Sequence, residues 1–147
     1  MNRNDVTALF LLGVLVFFMG CQEGSIGKQV PADKRIMLKT TGPQTGRWEA
    51  FEYAMDYQYI FTAPKQGAAG TIEFSGSVEK TAGGLDSLTI WVYLLDGNGK
   101  IMAMKDIYDS GYKERRMGSS FSVTLAAPPE TAGISFTHTA QESRGHK

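Results

Sequence analysis

One cysteine and two histidines are all that this chain of 147 residues offers to thiol chemistry or imidazole catalysis. Net charge is missing as well, because 15 lysines and arginines balance 15 aspartates and glutamates. Each scarcity excludes something. A single thiol closes no internal disulfide, so the fold must hold by packing alone. Zero formal charge leaves no basic excess for a phosphate backbone and argues against nucleic acid as a main partner. Five prolines against 17 glycines favour many turns over a few long helices. The strongly apolar run from Ala8 to Met19 spans about 18 Å as a helix, well short of a hydrocarbon core of about 30 Å. What is present is ordinary for a globular domain: 42% hydrophobic and 11% aromatic residues, on a chain of a size that buries roughly two thirds of its unfolded surface.

The short apolar run reads as a secretory signal peptide. Arg3 and the amino terminus precede it, partly offset by Asp5, and the small residue Gly20 ends it. Cys21 follows at once. The stretch "FFMGC" resembles the lipobox of bacterial lipoprotein precursors, with Gly20 and Cys21 in the required places. Phe18 stands where that family usually has leucine, and Met19 where it usually has alanine, serine or threonine; both remain apolar. The resemblance covers residues 1–21. It implies cleavage before Cys21, a thioether from its sulfur to a diacylglycerol, and acylation of the new amino group. Two or three acyl chains give stable attachment to a membrane where one does not. Gln22, in place of a retaining aspartate, implies the outer membrane, with the domain at its periplasmic face. The polar residues after Cys21 offer no apolar strand or helix in which a thiol could be buried.

The domain reading is therefore a signal peptide at 1–20, a lipid-anchored flexible tether at 21–35, a folded domain at 36–140 and a polar tail at 141–147. Within the folded part, alternation with period two recurs. "TIEFSGSVE" sets Ile72, Phe74, Gly76 and Val78 against Thr71, Glu73, Ser75, Ser77 and Glu79. "SLTIWVYLL" is apolar on both faces and predicts a central strand, and "DGNG" at 96–99 predicts a hairpin into "KIMAMKDIY". "SFSVTLA", "GISFTHT", "DYQYIFTAP" and "RIMLKT" supply the rest, and "RWEAFEYAM" at 47–55 allows a helix. The fold class expected is all-β: an antiparallel β-sandwich, immunoglobulin-like or jelly-roll, of six or seven strands.

A search for chemistry finds little. "DGNGK" begins like a calcium loop, but Lys100 stands where an oxygen ligand is needed and Ile107 where a glutamate is needed. Glu73 and Glu79 share a face yet stand about 20 Å apart along a strand, too far for paired-carboxylate catalysis. No G-x-S-x-G elbow occurs. No catalytic residue, metal or cofactor is assigned. Two surfaces remain. Trp91 and Tyr93 point the same way from the central strand, forming a platform for a sugar ring or a partner protein if exposed, or packing under a loop or the 47–55 segment if covered. Tyr108, Tyr112, Lys113, Arg115 and Arg116 gather around a glycine-flanked loop and suit an anionic partner, unless the loop is a solvated connection offset by Asp109 and Glu114. The functional expectation is a membrane-anchored, non-catalytic binding or structural module contacting another envelope protein. The alternative is a glycan-binding module using Trp91 and Tyr93.

Overall fold

The structure is a computed structural model that describes residues 24–50, 52–66, 68–81, 85–111 and 120–142. The signal peptide, Gly20, Cys21, Tyr112, Lys113, Arg115 and Arg116 lie outside the described residues. Eight strands form two four-stranded antiparallel sheets, one in the order β1-β8-β5-β6 and the other β2-β3-β4-β7. They are β1 (Ile36–Met37), β2 (Gln44–Ala50), β3 (Tyr53–Thr62), β4 (Gly70–Lys80), β5 (Leu85–Leu95), β6 (Ile101–Asp109), β7 (Ser120–Ala127) and β8 (Gly133–Glu142). The all-β sandwich expected from the alternation is what forms, with one strand more than the upper expectation. A single 3-10 turn, Ala32–Lys34, is the only helical element among the described residues.

β5 sits between β8 and β6, as its apolar faces demand. Leu88, Ile90, Val92 and Leu94 are fully buried on the inner face. Burying one such side chain contributes about 1.5–3 kcal/mol, so these four supply roughly 6–12 kcal/mol, comparable with the net stability of a whole domain. Opposite them, β4 turns Ile72, Phe74 and Val78 inward while Glu73, Ser77 and Glu79 face water. Aromatic rings close the gap between the sheets. Phe136 of β8 meets Tyr57 at 4.9 Å and Phe74 at 6.2 Å between ring centroids.

Two glycines serve this packing directly. Gly46, Tyr57, Gly76 and Phe121 lie in one row across β2, β3, β4 and β7. A Cβ at Gly46 would collide with the Tyr57 ring, and one at Gly76 with the Phe121 ring and the Asp56 carbonyl. Small and large residues alternate along the row, so each ring takes the space a side chain would fill on the glycine beside it.

Three expectations change. The 47–55 segment is a hairpin, not a helix: Trp48 pairs with Met55 and Glu49 with Ala54 across β2 and β3. Its true period is two, with Gly46, Trp48 and Ala50 half-buried and Thr45, Arg47 and Glu49 exposed. On the outer face Arg47 reaches Glu49 at 2.8 Å, Asp56 at 2.9 Å and Glu79 at 2.6 Å, a carboxylate from each of three strands. Hydrogen bonds to Glu49 first, then Glu79 and Asp56, push the guanidinium pKa further up. The group is exposed, and screening keeps the contribution of such pairs small.

Residues 27–35, expected to belong to a flexible tether, are docked on the sandwich. The Gly27 amide donates to the Ile101 carbonyl at 2.8 Å, Ile101 donates back to Lys28 at 2.8 Å, and Val30 donates to Gly99 at 2.9 Å. The cause is apolar: Val30 is buried in a small cluster with Leu95 and Ile101. Arg35 clamps the segment, its Nε donating to the Val30 carbonyl at 2.6 Å while its side chain passes over Gly99. At the other end the polar tail begins later than position 141, because β8 runs on through Glu142.

The "DGNG" hairpin forms as expected. Asp96 Oδ1 accepts hydrogen bonds from the amides of Lys100 at 3.0 Å and Asn98 at 2.8 Å, and Gly99 takes a positive φ of 82° that a side chain would strain. The Lys100 amide, with smaller help from Asn98, holds the Asp96 carboxyl below its ordinary range. A depressed folded-state pKa contributes stability that is complete above the unfolded value, near pH 4, and is lost as pH falls through the native value. Asp96→Asn should therefore be less stable than the natural protein at neutral pH, with the gap closing on acidification below about pH 4. Thermal unfolding across that range checks it; a gap independent of pH would contradict the assignment.

Candidate binding cleft

On one side of the sandwich, β8, flanked by the two-residue β1, stands beside β2, the edge strand of the other sheet: Trp48 of β2 meets Phe136 and His138 of β8. Between them opens a cleft of about 490 Å³, lined by residues 33–36 ahead of and within β1, 48–50 of β2 and 135–138 of β8. The sequence builds it in two steps. The inward set of β8 continues from Ile134 through Phe136 to His138, and the inward set of β2 ends on Trp48 and Ala50. Strand order then brings the two sets face to face.

Trp48 and Phe136 form the apolar floor, ring centroids 5.7 Å apart. His138 is exposed at the outer end, edge-on to Trp48 at 5.9 Å and to Tyr53 at 5.4 Å. Tyr53 itself is buried, its hydroxyl has no partner among the described residues, and burial pushes its pKa well above the ordinary phenol range. It stays neutral. Asp33, Lys34, Arg35 and Glu49 set charges of both signs around the rim. An aromatic floor within a charged rim is the anatomy of recognition: the floor supplies area and the rim orientation. Among the described residues no group of three histidine, cysteine, aspartate or glutamate side chains is placed to hold a metal ion.

A second, shallower groove of about 560 Å³ runs over the outer face of the other sheet, past Arg47, Gln58 and Ser75. Its two charged side chains, Arg47 and Asp56, are already paired with each other, and Arg47 with Glu49 and Glu79 as well. It has less to offer a ligand.

The residues singled out from sequence fall elsewhere. Trp91 and Tyr93 do share the outer face of β5, where their cross-strand neighbours are Asp106 and Thr137 for Trp91, and Met104 and Ser135 for Tyr93. Both are half-buried. Tyr93 packs on the Val30 cluster and its hydroxyl lies 3.3 Å from Ser25 Oγ, so the cover is the 25–30 segment and not the 47–55 hairpin. The Trp91 indole N–H is buried without a partner among the described residues. Tyr108 is a correction: it is 5% exposed, belongs to the core and meets Phe121 edge-on at 6.0 Å. A bulge in β6 causes this. Ile90 pairs with Tyr108 and Trp91 with Asp106, so the intervening Ile107 is extra and both apolar residues become buried.

No protein-family model matches this chain, and no curated protein or solved structure does so either.

Proposed function

We propose that the protein is a lipid-anchored, non-catalytic binding module of the bacterial cell envelope. Acyl chains on Cys21 hold it at the periplasmic face of the outer membrane, and it engages another envelope protein through the cleft between β2 and β8. The cleft carries the reading: it is the described feature that sets a half-buried tryptophan, packed on Phe136, within a rim of charges of both signs, Asp33, Lys34, Arg35 and Glu49. The resemblance of "FFMGC" to a lipobox supplies the placement. The glycan reading has less support, because the Tyr93 ring and hydroxyl are occupied by Val30 and Ser25.

Under this anchoring the short lead keeps one end of the domain close to the membrane. Six residues, Cys21 to Ile26, precede the first docked amide at Gly27, a reach of about 20 Å when fully extended. The end of the sandwich that carries Gly27, Val30 and the 96–100 turn thus stands near the bilayer. That end also carries the exposed apolar residues Ile26 and Met37, with Lys28 and Lys100 beside them. β8 runs from Gly133 at this end toward Glu142 at the far end, so the cleft opens sideways to a partner on the same leaflet.

Mild amine crosslinking of native membranes tests the reading. The natural protein should give a discrete adduct with a different protein, and Trp48→Ala should reduce it at least tenfold. Because Trp48 also packs the core, Glu49→Lys at the exposed rim serves as the second variant and should weaken the adduct in the same direction. Absence of any adduct, or an adduct indifferent to both changes, would overturn the proposal.

A further inference from the structure

Among the described residues two large apolar side chains are left exposed, Ile26 at 43% and Met37 at 53%. Both belong to the outer face of the β1-β8-β5-β6 sheet. Ile36 packs against the core, so Met37 turns to the opposite side, and its sulfur lies over Gly133, 3.6 Å from where a Cβ would stand. Ile26 occupies the turn in which the Lys28 amide donates to the Ser25 carbonyl at 3.2 Å. Ser25 and the Val30 cluster on either side of it touch Tyr93 on that outer face. Met37, Gly133, Leu95, Ile101 and Gly27 form one row across the sheet. Four strand spacings set Ile26 and Met37 about 19 Å apart, one at each flank.

Lysines frame both. Lys28 and Lys39 are exposed two residues beyond Ile26 and Met37, and the Lys100 side chain passes beside Gly27. The nearby Asp96 is turned onto the amides of Asn98 and Lys100.

We propose that this face of the domain seats on an anionic phospholipid surface, with Ile26 and Met37 entering the headgroup region and Lys28, Lys39 and Lys100 meeting phosphates. The inference rests on the anchoring at Cys21. Apolar side chains beside lysines are what interfacial binding uses: the apolar area enters the acyl boundary and the cations answer the lipid charge. The lead commits the face to lipid. Ile26 directly precedes the first docked amide, so the bilayer is the surface that the anchor brings to it. A tether of six residues holds the domain at an effective concentration on the order of millimolar, and a contact too weak to recruit a free protein is then occupied. The seat orients the domain without anchoring it, and removal of the lipid still releases the protein.

The test reconstitutes the full-length lipidated protein into vesicles of phosphatidylethanolamine and phosphatidylglycerol doped with bromine-labelled lipid. Ile26→Cys or Met37→Cys carries a bimane probe, placed selectively because lipid occupies the Cys21 sulfur and the chain has no other cysteine. Glu73→Cys, exposed on β4 of the other sheet, is the control. Bromolipid should quench the probe at 26 and at 37 at least fivefold more than at 73. Lys28→Glu with Lys39→Glu should lower that quenching at least threefold with thermal unfolding unchanged, and so should phosphatidylcholine in place of phosphatidylglycerol. Quenching at 26 and 37 equal to that at 73, or indifferent to both changes of charge, would overturn the inference. A probe shielded from aqueous iodide yet not reached by bromolipid would give the face to a second copy and overturn it too. If the protein floats with the vesicles while both positions stay unquenched, the seat falls and the anchoring stands. If the protein does not float with them, the anchoring falls and the seat with it.

Discussion

Cys21→Ala should move the protein from the membrane fraction to the soluble fraction, with the signal left uncut or cut at another position. The argument is chemical. The thioether needs a sulfur nucleophile, and the chain has no second cysteine to supply one. Under the proposed anchoring, attachment depends on the acyl chains, and removing two or three of them takes binding from stable to marginal or none. The fold should not notice, because Cys21 precedes the described globule and its first docked amide is at Gly27. Fractionation should show at least a tenfold redistribution with an unchanged melting temperature. Full retention in the membrane would remove the lipid from the account.

Phe74→Ala should be the most damaging single change in the core. Phe74 is 1% exposed and joins Tyr59 of its own sheet, at 6.2 Å, to Phe136 of the other. Truncating such a ring costs about 3–5 kcal/mol, part lost transfer free energy and part cavity. With total stability of about 5–15 kcal/mol, that is a large fraction of the whole, worth roughly 12–20 °C in melting temperature for a domain of this size. The cavity would adjoin Phe136, so the cleft floor should loosen along with the fold. Ser75→Ala, next along the strand on the opposite face, should change stability by less than about 0.5 kcal/mol. Thermal unfolding of both variants checks the pair, and equal effects would mean that the inward and outward faces of β4 are misassigned.

Much of the sandwich is legible in the sequence. The inward sets of β4 and β5 are clean period-two series in strands buried on one face or both, and local pattern fixes such strands. The 96–100 turn carries its own backbone chemistry in Asp96 and Gly99, so it too was readable. β2 was not. Trp48, Phe51 and Met55 fall at spacings a helix also produces, and the glycine that marks the true strand, Gly46, reads as a breaker until the Tyr57 ring is seen lying over it. Val30 hid for a different reason: one apolar residue among polar ones has no period, and its burial depends on Leu95 and Ile101 about seventy residues away. The cleft was out of reach altogether. Trp48 and His138 are separated by most of the folded chain, and only strand order makes them neighbours. Tyr108 turns inward because a one-residue bulge shifts the face that follows it, and no composition signal announces that shift.

The most direct measurement is the mass of the N-terminal tryptic peptide of protein taken from membranes. The account predicts a peptide that begins at Cys21 and ends at Lys28, with a diacylglycerol on sulfur and an acyl group on the amine. A peptide beginning elsewhere, or Cys21 with a free thiol, would contradict it.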